Sequence, residues 1–194
     1  IRIHPDAVTF TMKSENNSSP PVFLSGLRKL PALNVAGSLM NDLTLTGESG
    51  VNADLFLGFD LRDVGNTLDV DFSADFDDTA VTSQFLDMQA DDVSGPVSYR
   101  HGAGFKSAGL TASLWGRPLR VVIDPDLAQA PDTILAAQID ANADVSDLLA
   151  WQAVEMPLPL SGITAVSVAV NVADDISVGI SSELRGVTVD MPLP

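Results

Sequence analysis

The residues of this chain best placed by type and spacing to do chemistry are acidic: Asp77-Asp78, Asp91-Asp92, Asp174-Asp175 and the triplet Asp124-Pro125-Asp126. Neighbouring carboxylates can bind calcium or form the acid/base pair of a glycoside hydrolase. A calcium loop needs oxygen ligands at set intervals around a glycine turn, and no Asp-x-Asp-x-Asp-Gly run occurs. Two distant carboxylates that meet in the fold keep a carboxylate-based polysaccharide hydrolase as a distant alternative. Aspartates at turns and strand ends account for most of these clusters without any chemistry. His4 and His101 stand alone, outside any metal-ligand spacing, and there is no cysteine for thiolate or disulfide chemistry. No serine sits in a Gly-x-Ser-x-Gly elbow, and Gly102-Ala103-Gly104 lacks the Lys-Ser/Thr of a phosphate loop. The reading is of a chain with no catalytic residue, no metal site and no cofactor, and not of an enzyme.

Charge narrows the partners. With 26 Asp and Glu against 10 Lys and Arg, the net charge is −16. Such a surface repels the phosphate backbone, so nucleic acid is excluded, and anionic membrane surfaces attract it no better. Acidic side chains also keep exposed strand faces wet and self-repelling. Apolar residues still make up 45% of the chain, enough for a folded globular core. The chain opens on Ile-Arg-Ile and ends on Met-Pro-Leu-Pro. It is expected to be a piece of a longer protein, with a membrane anchor outside it.

The elements that would position anything are strands. Leu68 to Asp77 alternates apolar and acidic almost without a break, which puts Asp69, Asp71, Asp75 and Asp77 on one face. Ala53 to Arg62 places Leu55, Leu57, Phe59 and Leu61 together, and a Gly65-Asn66 turn joins the two as a hairpin. Val166, Val168, Val170 and Val172 alternate with small and polar residues, as do Ile176, Val178 and Ile180 after Asp174-Asp175. Ile134 to Val145, Phe105 to Trp115 and Leu119 to Asp124 read as further strands. Lys13 to Pro21 reads as a polar, turn-rich loop, and Phe23 to Leu30 and Ser146 to Trp151 as short helices. About a dozen strands, many longer than the usual five or six residues, predict an all-β fold. The expected architecture is a large twisted antiparallel sheet curled into an open trough or a sandwich, with one or two short helices. It forms a single module over 1–194, in which the Met-Pro-Leu-Pro echo at 156–159 and 191–194 suggests sub-repeats 1–90 and 91–194.

The segment from Asp92 to Ile123, with its Ser-Gly-Pro-Val-Ser-Tyr strand start and Gly-Arg-Pro turn, resembles the AsmA-like envelope proteins of Gram-negative bacteria, in particular those of the YhdP type. The ending from Ile180 to Pro194, with Ser-Glu-Leu-Arg-Gly-Val and Met-Pro-Leu-Pro, is similar to a second motif of that family. The resemblance spans about residues 40–194. It implies a periplasmic protein anchored in the inner membrane by an N-terminal helix. Its β-modules would stack into a gutter whose apolar face carries phospholipid acyl chains toward the outer membrane.

An apolar sheet face cannot stay bare, and must meet another sheet, a neighbouring module of the same protein or a lipid. If lipid, the lining falls on Leu55, Leu57, Phe59, Leu61, Leu68, Val70, Phe72 and Phe76, and on Val166, Val168, Val170, Val172, Ile176, Val178 and Ile180. The alternative is a closed β-sandwich that scaffolds a large envelope protein, because alternating strands usually face an ordinary core.

Overall fold

A computed structural model describes residues 2–4, 7–30, 33, 37–48, 50–60, 68–128, 130, 133–151, 160–173 and 175–189. Its strands are β1 (Arg2–His4), β2 (Ala7–Ser18), β3 (Leu43–Thr46), β4 (Val51–Asp60), β5 (Leu68–Ser83), β6 (Met88–Arg100) and β7 (Gly104–Leu114). They continue as β8 (Arg117–Ile123), β9 (Leu135–Asp144), β10 (Leu160–Ser161), β11 (Ile163–Val172), β12 (Ile176–Ser182) and β13 (Thr188–Val189). Three short helices interrupt them: α1 (Pro20–Leu27), α2 (Gly37–Asp42) and α3 (Val145–Trp151). One helix more than expected is present, because 37–42 coils before β3.

Eleven strands form one antiparallel sheet in the order β1-β2-β4-β5-β6-β7-β8-β9-β11-β12, with β3 alongside the second half of β5. The sheet is open: β1 and β12 do not meet, so there is no barrel. The β4–β5 hairpin is present, with Phe59 opposite Leu68 and Leu55 opposite Phe72. The proposed Gly65-Asn66 turn lies outside the described residues. The boundary between sub-repeats at 90 and 91 falls inside β6.

The segment 13–18 is strand and not loop. β2 runs on to Ser18, paired residue by residue with β4, from Thr9 opposite Asp60 to Ser18 opposite Val51. Lys13, Glu15 and Asn17 are polar because they lie on the solvent face of that strand. Polarity misleads there, since an antiparallel sheet can wet one of its faces.

The long strands keep one apolar face by shifting phase midway. On β5 the buried side chains are Val70, Phe72 and Ala74, then Thr79. The pairing of β5 with β6 slips by one residue between Phe76 and Thr79, and slips back before Val81. Asp77-Asp78 and Asp91-Asp92 are therefore β-bulges, one in each strand, and Asp78 and Asp92 take left-handed backbone at φ 48° and 55°. Aspartate tolerates that conformation better than most residues. A third bulge at Ala108-Gly109 does the same in β7, between Ser107 and Leu110. Side-chain bonds fasten the first two to neighbouring strands: Ser94 Oγ of β6 accepts from the Asp78 amide at 3.1 Å, and Ser113 Oγ of β7 donates to Asp92 Oδ2 at 2.9 Å. Bulges bend strands and sharpen twist, so the crease they form curls the sheet around its apolar face.

One half of that face is filled from within. Leu55, Phe72, Tyr99 and Phe105 stand opposite one another across β4 to β7. The Tyr99 and Phe105 rings lie 4.9 Å apart, and Phe72 stacks on Tyr99 at 5.7 Å. Over them lies α1, which starts with Pro20-Pro21, residues whose fixed φ suits a first helical turn. Its Phe23 meets Phe72 and Phe76 edge-on at 6.1 and 5.8 Å, while Leu24 and Leu27 are buried beside them. Arg28 fastens the helix end, its guanidinium donating to the Met40 carbonyl at 2.9 Å and the Leu43 carbonyl at 2.8 Å.

Candidate functional site

Beyond α1 none of the described residues fills the apolar face. Strands β8, β9, β11 and β12 carry no bulge, and their inward residues line up in rows. Val121, Ile139, Val168 and Ile180 form one row; Ile123, Ala137, Val170 and Val178 form the next. All of these but Ile123 and Ala137, which are buried in the cluster under α1, wall a cavity of about 270 Å³ together with Val81, Met88, Ala90, Val93, Leu110, Ala112, Leu114, Leu119 and Ala141. Among the described residues no charged side chain lines it. Its one hydroxyl, Ser83 Oγ, donates to Asp42 Oδ2 at 2.6 Å.

One side of the cavity is spanned by α3. Asp144 caps that helix: its carboxylate accepts from the Ser146 hydroxyl at 2.7 Å and the Ser146 amide at 3.0 Å, which holds its pKa below the ordinary 3.8. From the far end of the helix the Trp151 indole donates to the Leu86 carbonyl at 2.6 Å, in the β5–β6 turn. Trp151 also lies 6.4 Å from Trp115, in the two-residue turn between β7 and β8. Trp115 and Gly116 both have positive φ, at 52° and 71°, as the tight turn of a right-twisted hairpin requires. The strained backbone of Trp115 thus aims a large ring at the cavity, which both tryptophans line together with Leu148.

Of the fifteen residues read as lining, Val168, Val170, Val178 and Ile180 wall the cavity. Leu55, Phe72 and Phe76 belong to the cluster under α1 and do not line the cavity. Val70, Val166 and Val172 are buried, and Leu57 and Ile176 are half-buried, none of them on the cavity wall. For Phe59 and Leu68 only the backbone pairing is described, and Leu61 lies outside the described residues. Most of the wall comes from β6 to β9 and α3, which the sequence reading passed over. The alternation in β8 and β9 was a usable signal; in β6 and β7 the bulges break the period of two.

Among the described residues the acidic clusters have local structural roles. Asp77-Asp78 and Asp91-Asp92 are bulge residues, and Asp124 accepts from the Asp126 amide to cap a single turn at 125–127. Asp174 lies outside the described residues. His101 is exposed in the β6–β7 turn, and among the described residues no group of acidic or histidine side chains is arranged to hold a metal. No described helix is long and apolar enough to cross a membrane. No family model, curated protein or solved structure matches the chain.

Proposed function

We propose that this chain binds a hydrocarbon tail in the apolar cavity between β5 and β12, as a lipid-contacting module. The observation that carries the reading is a wall drawn from eight strands with no charged member among the described residues, none of which fills it, where the other half of the same face is covered by α1. Its volume sits just below the roughly 300–1,000 Å³ of ordinary small-molecule pockets, which suits part of an acyl chain better than a headgroup with its chains. Each methylene withdrawn from water contributes about 0.8 kcal/mol, so about six of them contribute roughly 5 kcal/mol before the cost of immobilising the tail. No catalytic step belongs to this reading. The resemblance to AsmA-like proteins adds the setting: a periplasmic module of a longer, inner-membrane-anchored protein that passes phospholipid toward the outer membrane alongside neighbouring β-modules.

The scaffold alternative draws on the other half of the face, where Phe23, Leu24 and Leu27 make the sheet cover itself. The two readings separate in one titration. Trp115 and Trp151 are the only tryptophans of the chain and both line the cavity. A brominated fatty acid bound there quenches their fluorescence saturably, and the unbrominated acid competes. No quenching up to the solubility limit of the probe overturns the lipid reading in favour of the scaffold.

A further inference from the structure

β12 ends the path of the large sheet, and its only strand partner among the described residues is β11. The backbone groups on its other side run along Ile-Ser-Val-Gly-Ile-Ser-Ser, a sequence with no charge and no proline. Its register with β11 is unbroken from Val172 opposite Ile176 to Val166 opposite Ser182, so no bulge turns the edge away. Folded proteins ordinarily guard such an edge with lysine, proline, a bulge or an inward charge. This one has none of the four, on a chain that carries −16 elsewhere. The apolar rows also stop abruptly there, with Ile180 45% exposed.

We propose that β12 pairs edge to edge with β12 of a second copy of this chain, antiparallel, about a two-fold axis at Gly179. That register sets Val178 against Ile180 of the second copy, so the cavity wall continues across the axis. It sets Ser177 against Ser181 on the wet face and opposes no charges within the strand, while Asp175 and Glu183, just beyond its two ends, fall opposite each other and add to the repulsion between the copies. Gly179 faces itself without obstruction, since a side chain built on it meets nothing within 4 Å. A second copy fits better than an unrelated strand because the edge is complementary to itself, and a two-fold pairing closes the assembly at a dimer by covering the β12 edge of each copy. This pairing stands apart from the lipid reading and survives its failure.

One seven-residue strand makes a small interface, so the dimer is weak, and two chains of −16 repel at long range. Added salt screens that repulsion and strengthens the dimer, the reverse of an ion-paired interface. Sedimentation velocity on the whole chain, over a concentration series reaching about 1 mM, reads the equilibrium. The double variant Ser177→Lys/Ser181→Lys places lysine opposite lysine twice and is expected to weaken the dimer roughly fivefold to thirtyfold. Ser177→Glu/Ser181→Glu does the same with carboxylates, while Ser177→Lys/Ser181→Glu opposes unlike charges and restores pairing. Both serines are exposed, so the monomer fold tolerates each change, checked by circular dichroism. A wild-type chain that stays monomeric throughout, or a dimer equally strong in all three variants, overturns the proposal.

Discussion

Filling the cavity is the sharpest perturbation of the proposed binding, and Ala141→Leu is the substitution to make. Ala141 sits mid-strand on β9, opposite Leu119 of β8 and Val166 of β11, and lines the open wall. Leucine adds about three carbons to the alanine methyl, worth at most about 2.4 kcal/mol if all are withdrawn from water. The wall is half-exposed, so a gain of about 1 kcal/mol is expected, a rise in Tm of roughly 2–4 °C for a chain of this length. The same carbons occupy space a tail would use, and losing about three buried methylenes costs roughly 50-fold in affinity. Calorimetric melting and bromolipid quenching on one preparation read both numbers. The signature is a protein that is more stable and binds less, which mere damage to the fold cannot produce. A Tm several degrees lower refutes the reasoning, because an overfilled site is a closed core and not a cavity. A stabilised variant with unchanged quenching places the ligand elsewhere.

Four further outcomes follow from the geometry. Phe72→Ala, at a side chain only 6% exposed among three other rings, is expected to cost about 3–5 kcal/mol in urea unfolding, whereas Val178→Ala on the open wall costs under about 1 kcal/mol. Asp92→Gly relieves the left-handed backbone but loses the bond from Ser113, so stability stays within about 1 kcal/mol, while Asp92→Val keeps the strain, loses the bond and costs about 2–3 kcal/mol. Tyr99 is the single tyrosine; burial first, then the Asp71 charge, raise its pKa above 10.0, so the phenolate absorbance of the folded chain appears above that pH. Its contribution to stability is complete below pH 10 and is lost as pH rises toward the folded value; a phenol titrating at or below 10 contradicts its burial. Asp144 is shifted down by its bonds from Ser146, so the α3 cap is intact above pH 3.8 and fails as pH falls below it; Ser146→Ala loses the hydroxyl bond and keeps the amide bond, so carboxyl NMR is expected to show the titration moved part of the way back toward its ordinary place.

The sheet was legible in the sequence wherever the period of two ran unbroken. The hairpin of β4 with β5 and the valine ladder of β11 with β12 follow directly from alternation. It was illegible where the chain changes phase. Leu68–Ser83 is one strand of sixteen residues, but its inward positions are even-numbered before Asp77 and odd-numbered after Asp78, so a fixed period loses it halfway. The acidic pairs looked like chemistry because paired carboxylates are rare in strands, and they are rare because strands seldom need two consecutive outward residues. The reading also spread the lining over every alternating strand, since alternation marks an apolar face without saying what lies on it. That Phe72 meets Phe23 while Val168 meets open space depends on where α1 falls, a contact between distant segments that no local pattern carries.

The three stacked bulges make each of β5, β6 and β7 two hydrophobic reading frames joined at a single hinge residue. Deleting Asp78 alone would leave Asp77 as the one outward residue between Phe76 and Thr79, so Val81 and Ser83 would still face in and β5 would merely straighten, while Asp92 and Gly109 still bent their own strands. One bulge residue can therefore be lost without exchanging the apolar and wet faces, whereas a single insertion or deletion elsewhere in the same strand exchanges them beyond it. The crease thus carries the curvature of the trough in residues that the alternation itself does not need.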